Sequence, residues 1–357
     1  MYEEIDPDGD FCDLDRKDKE EAFTQFLDSL LVRAGSLNDG NDPRGLIPET
    51  RSDSPKEEEL STGEVQDHSS PPAAEQSSFK VSSKHLSLAS RRFKAMLAGD
   101  WSEAHTIHDD GLRHVEVEGF NPEAYKIIMN AIHGNYRGVP RQIHDLELLS
   151  QLALIVDDLD CLEAVEILCD LWLQGWWEQE DVVNRRLILM IFISSVFRHG
   201  IIFERATYIA IMASEEPIPS LGLPIHDHIL NKINETREYA VNEAVKVPRW
   251  AIDLLCNTVG LCSSRACRAM MIGTLVTEAH VLSLFDPLPE MPFHGRSYNR
   301  TVKDIRQIQV PEWYENKRGR CMQHSGDCTL QILIGPKLDE LDRTIKGLNI
   351  DAMFSQK

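Results

Sequence analysis

The chain has 357 residues, 42% of them apolar, with 37 Lys and Arg against 58 Asp and Glu for a formal net charge of −21. That length allows two or three domains, and that charge excludes a generally basic binder of nucleic acid or anionic lipid, which would need cations to neutralise phosphates. The longest apolar run, Leu187 to Phe197, is shorter than the ~20 residues a membrane helix requires. The acidic start MYEEIDPDGD lacks the basic character of a signal or transit peptide. The expectation is a soluble intracellular protein, cytoplasmic or nuclear, whose eight cysteines stay reduced as core residues or metal ligands.

Residues 1–78 hold 21 Asp and Glu against 7 Lys and Arg, a net of −14, and form an acidic tail. From Ser36 to Ser78 the composition is Gly, Asp, Pro, Ser and Glu, which cannot bury enough apolar area to offset chain entropy and predicts disorder. One stretch, about 18–34, differs. Phe23, Phe26, Leu27, Leu30 and Leu31 share one helical face, with Asp18, Glu20 and Glu21 at its start and Gly35 beyond its end. Two readings stay open for that face: a helix docking on its own folded domain, or a linear motif that folds on a partner.

Residues 79–175 read as α+β. Phe79–Val81 is a short strand, and Ser82 or Ser83 caps a helix carrying Leu86, Leu88 and Ala89. A second helix with Phe93, Met96 and Leu97 stops at Gly99, and His114–Val117 alternates as a second strand. Asn121-Pro122-Glu123 opens the next helix with a cap and a first-turn proline, and it stops at Gly134. Asp145 opens another, turning Leu149, Leu152, Ala153 and Val156 inward. A last helix gathers Leu162, Val165, Leu168, Cys169 and Trp172.

The runs FKVSSKHLSLASRRFKAMLAGDWSEA, HVEVEGFNPEAYKIIMNAIHGN and DLELLSQLALIVDDLDCLEAVEILCDLWL, in that order, resemble a BTB/POZ domain. More narrowly they resemble the large group of BTB proteins of filamentous fungi, as do LPIHDHILNKINETREYAV and the closing IKGLNIDAMF, so the likeness spans about 79–357. The resemblance implies a helical cluster with a small β-sheet, followed by an all-α extension over 176–285. It also implies a non-enzymatic protein-interaction module, with another BTB chain, a cullin scaffold of a ubiquitin ligase or a transcription factor as partner. In one respect the chain departs from the family. Where a BTB domain enters through further strands, this chain has VQDHSSPPAAEQSS, whose adjacent prolines cannot donate ladder hydrogen bonds. Either the sheet is truncated, which puts a homodimer through its first strand in doubt, or the coding sequence is faulty there.

Beyond Asp181 the pattern is helical. Leu187–Phe197 is apolar on most sides and reads as interior, Pro217, Pro219 and Pro224 mark a break, and a long helix runs from Ile225 to about Val247. Ser263 or Ser264 opens a further helix with Met270, Met271, Leu275 and Leu282.

The usual phosphate-loop, dinucleotide, nucleophile-elbow and zinc-protease patterns are missing from the sequence, which argues against an enzyme. His105, His108 and His114 gather in a loop with Asp109 and Asp110 and read as solvated, while His226 and His228 flank Asp227 as a surface feature. In the C-terminal stretch 286–357, Cys321, His324 and Cys328 have spacings that converge on tetrahedral zinc with Cys262 or Cys267. The alternative is ordinary thiols, since Cys262 and Cys267 lack the two-residue spacing of a zinc knuckle and Cys256 reads as a buried hydrophobe. Lys317-Arg318-Gly319-Arg320 reads as a solvated loop or a weak nuclear-import patch, with no direct nucleic-acid contact expected. The second functional reading is a transcription-associated regulator working through the acidic amphipathic segment.

Overall fold

The computed structural model describes residues 77–99, 101–176, 182–257, 264–310, 314–317, 320–323 and 329–355. Its helices are α1 (Ser83–Ala89), α2 (Arg91–Ala98), α3 (Ser102–His105), α4 (Pro122–Ile132), α5 (Leu146–Leu159), α6 (Leu162–Leu173), α7 (Arg185–Val196) and α8 (Gly200–Ala213). They continue with α9 (Asp227–Asn257), α10 (Arg265–Val281), α11 (Tyr298–Arg306), α12 (Leu330–Thr344) and α13 (Ile350–Phe354). Strands β1 (Tyr314–Lys317) and β2 (Arg320–Gln323) form an antiparallel hairpin, with Tyr314 opposite Gln323 and Lys317 opposite Arg320.

The α+β expectation is therefore overturned: the fold is helical, and among the described residues this hairpin, far from residues 79–175, holds the only strands. Phe79–Val81 and His114–Val117 do not pair. The physical reason lies in what these residues bind instead. Two short strands with no third are marginal in water. Phe79 packs its ring 5.6 Å from that of Tyr125 on α4, and the Ser82 N–H is taken by His133 Nε2 at 2.9 Å. His133 is held for that task as the Nδ1–H tautomer, donating to the Met129 carbonyl at 2.8 Å.

Several helices start on side-chain caps, although the expected cap at Ser82 or Ser83 makes no such hydrogen bond at the start of α1. Asn121 Oδ1 accepts from the N–H groups of Glu123 and Ala124, Asp145 from Glu147, Asn184 from Leu187 and Ser264 from Cys267. Ser90 does more than cap α2. Its buried hydroxyl accepts from the Phe93 N–H and donates to the Leu159 carbonyl, which ties the α1–α2 corner to the end of α5. Trp172 is fully buried on α6, and its indole donates 2.8 Å to the Pro140 carbonyl, while Trp176 donates to Ile143. Two indoles thus hold the α4–α5 connection.

At the centre lies α7, with every residue from Leu187 to Ser195 buried. It packs against α5 on one side and α8 on the other, and so carries a single core from Leu86 to Ile350. Burial of the large apolar side chains from Leu187 to Ile193 is worth roughly 10–20 kcal/mol, as an upper estimate. Helix α9 runs on through Pro248 to Asn257, further than its sequence suggests. The proline is buried among the helices, so packing outweighs its lost hydrogen bond. Cys256, expected inside, is exposed on its last turn, where Leu255 takes the interior position.

The chain end is a structural clasp. Helix α12 packs on α9 and α13 on α8. Between them the Leu348 N–H donates 2.8 Å to Thr207 Oγ1, and a Cβ on Gly347 would stand 1.8 Å from the Glu204 carbonyl oxygen. Only a residue without a side chain lets the two backbones pass. Gly347→Ala should lower the stability of the full chain by ~2 kcal/mol or more in urea unfolding. Thr207→Val, which strands one buried N–H, should cost about 1–2 kcal/mol. Equal, negligible losses in both variants would rule out the clasp.

Candidate protein-interaction surface

The residues singled out in the sequence are only partly visible. Phe23, Phe26, Leu27, Leu30 and Leu31 lie outside the described residues, as do Cys262, His324 and Cys328, and Cys321 is seen only as backbone on β2 opposite Asn316. Cys267 is buried in the first turn of α10, its N–H held by the capping Ser264. Among the described residues no three His, Cys, Asp or Glu side chains converge as metal ligands.

The histidine loop has an internal order of its own. His108 and His114 stack with ring centroids 4.2 Å apart, and His114 Nε2 lies 2.8 Å from Asp110 Oδ2. The carboxyl of Asp110 is held below its ordinary range by that hydrogen bond. All three side chains face solvent. His226 and His228 are exposed, and both rings meet that of Phe354, at 5.7 and 5.8 Å. His226 precedes α9, so helical spacing does not govern the pair. Arg198 caps the other side of that ring, its guanidinium carbon 3.1 Å from the centroid. The cluster therefore secures the last helix.

Two clefts open on the surface. One, of ≈ 450 Å³, lies where α4 and α5 begin and is lined by Phe120, Asn121, Glu123, Asp145, Glu147 and Leu148. Three of its polar groups are already engaged. Asn121 and Asp145 cap their helices, and Glu147 accepts two hydrogen bonds from Arg185, at 2.8 and 3.0 Å, which hold its carboxyl below the usual range. The other, of ≈ 480 Å³, lies along α11 and is lined by Tyr298, Asn299, Val302, Lys303, Arg306 and Asp342. There Tyr298 donates 2.8 Å to Asp342, and Arg306 donates to Asp339 and Asp342 at 2.7 and 2.9 Å. In both clefts these contacts tie neighbouring helices together.

What the surface does offer is apolar area. Val81, Leu88, Trp101, Ile107, Leu112 and Val117 are exposed within one stretch of chain, with Leu88 at 89% and Trp101 at 64%. By contrast, from Phe120 to Asp160 the only exposed large hydrophobic residue is Tyr136. In the same stretch, residues 113–118 make no backbone–backbone hydrogen bond among the described residues. Side chains and main chain are thus unpartnered together. Sequence reasoning missed Leu88 and Trp101 because apolar periodicity reports a face without saying what covers it.

Two measurements check these environments. Burial, then the Asp342 carboxylate, push the Tyr298 phenol above its ordinary value, so the folded chain holds the proton more tightly. Its contribution to stability is complete below about pH 10 and is lost as the pH rises beyond. Tyr298→Phe should cost roughly 1 kcal/mol at pH 7 and remove part of the alkaline decline in the unfolding midpoint. Burial likewise pushes the Cys161 thiol up to about 12 and raises that of Cys169 too. A thiol reagent at pH 8 should therefore label Cys256 and leave Cys161 and Cys169 untouched until the chain unfolds. Rapid labelling of either would disprove the buried assignment.

No family model, no curated protein and no solved structure matches this chain.

Proposed function

We propose that the chain is a non-enzymatic protein-interaction module of BTB/POZ type that serves as an adaptor, with a cullin scaffold as the first partner to test. The single observation that carries this reading is the set of exposed apolar side chains between Val81 and Val117, beside residues 113–118, whose backbone forms no ladder among the described residues. An exposed row of N–H and C=O groups beside apolar side chains is the kind of surface that another polypeptide covers. Burial of a few large side chains, Trp above all, supplies most of the affinity in such contacts. The resemblance in residues 79–175 supports the choice of partner, and the ion-paired clefts support a role without bond making.

The test uses the full chain. Leu88→Ser, Trp101→Ser and Val117→Ser combined should leave the unfolding midpoint within about 1 °C, because all three side chains already face water. Retention of a purified cullin scaffold should fall tenfold or more. Retention equal to that of the unaltered chain would overturn the adaptor reading. Reporter activity from the acidic segment with no cullin retention at all would favour the transcription-associated alternative.

A further inference from the structure

The connection between α10 and α11 is built to hold a short peptide away from the body. Its two ends are anchored in the core by Leu284 and Phe293, both buried, and Phe285 lies under the guanidinium of Arg249. Between them Leu288 and Met291 stand 55% and 68% exposed. Asp286 and Glu290 alternate with them, and no Lys or Arg occurs from Leu282 to Phe293. Three prolines, at 287, 289 and 292, restrict the backbone, so little chain entropy remains to be lost on docking.

The stems are fixed by polar contacts that stability alone does not explain. Arg237 on α9 is fully buried, donates to the Pro292 carbonyl, and leaves Nε and Nη1 without partners. A buried guanidinium satisfied at one nitrogen costs more than an apolar side chain of similar volume. What it supplies is position. On the same stem the Gly295 N–H donates to the Glu215 carbonyl and to Glu216 Oε1, at 3.1 and 3.0 Å, while His294 Nδ1 pairs with the other Glu216 oxygen. Arg296 donates 3.1 Å to the Leu282 carbonyl and so closes the base of the loop.

We propose that Phe285–Phe293 is a preformed docking peptide, which seats Leu288 and Met291 in an apolar groove rimmed by Lys or Arg on a partner polypeptide. The cationic rim follows from charge complementarity with Asp286 and Glu290. Arg237 is its positioning residue. The proposal rests on the interaction-module reading and adds a second surface, remote in sequence from Val81–Val117.

The experiment places a photo-cross-linking residue at position 288 of the full chain, and at the equally exposed Ile332 as control. The adduct is identified in a native extract, and that partner is then purified and titrated. The expected result is a discrete adduct from 288 and none from 332. Leu288→Ser with Met291→Ser should weaken the purified pair at least tenfold, and Asp286→Asn with Glu290→Gln should flatten its salt dependence. Arg237→Met should keep or raise the unfolding midpoint, speed amide exchange over 288–295 and weaken the pair. Should Arg237→Met fail to fold, Arg237→Lys replaces it with the same expectations. No discrete adduct, an adduct with lipid, or binding indifferent to the loop variants would overturn the proposal. If the loop fails while cullin retention still depends on Leu88, Trp101 and Val117, the interaction-module reading stands and only the loop falls.

Discussion

The core of the described residues is arranged around one helix that is buried on every side over most of its length. From Leu187 to Ser195 each residue of α7 is buried, and its two serines satisfy their hydroxyls on the carbonyls of the preceding turn, Ser194 on Met190 and Ser195 on Phe192. A helix apolar all round cannot exist at a surface, so α5 and α8 must cover it from opposite sides. That requirement joins residues 79–175 to the helices beyond Asp181. Trp172, whose ring lies 6.3 Å from that of Phe197, extends the joint to α6. Removing either half would expose α7, so the chain from Leu86 to Ile350 shares one core even where the sequence suggests a boundary.

Several helices were legible because they begin with their own chemistry. Asn121, Asp145 and Ser264 are short polar residues ahead of an apolar period, and all three cap their helices. What failed to read were the features decided by partners distant in sequence. Alternation at His114–Val117 describes a strand only if something pairs with it, and among the described residues nothing does. Pro248 reads as a stop, yet the surrounding helices carry α9 past it. Gly347 gives no local signal at all, because its reason is the carbonyl of Glu204 on another helix. For the exposed apolar residues the sequence placed Leu86 and Leu88 on one helix without separating Leu86, which is buried, from Leu88, two residues on, which is not.

Polar chemistry in the described residues is used chiefly to fix geometry. Ser90, His133, Trp172 and Thr207 each take up a backbone group from a distant segment, and each does so within the core or at its edge. The exposed ion pairs, such as Arg185 with Glu147, contribute little to stability but orient helix ends. Arg237 is the largest exception, since it leaves a desolvated charge half satisfied. In a fold that elsewhere satisfies nearly all of its buried side-chain polar atoms, that residue is best understood through what it holds, the Pro292 carbonyl.

Among the described residues the engaged polar groups and the exposed apolar ones lie in different places. The two clefts hold groups spent on caps and ion pairs, Asn121, Asp145 and Glu147 in one and Tyr298, Arg306 and Asp342 in the other. The unsatisfied capacity lies instead on the outside: bare main chain at 113–118, Leu88 and Trp101 in water, and a proline-stiffened loop displaying Leu288 and Met291. A rigid interior makes such a surface effective, because side chains that need not reorganise lose less entropy when they are covered. The central helix and the exposed patches are thus two consequences of one arrangement, in which a core completed by its own chain leaves its remaining apolar area exposed.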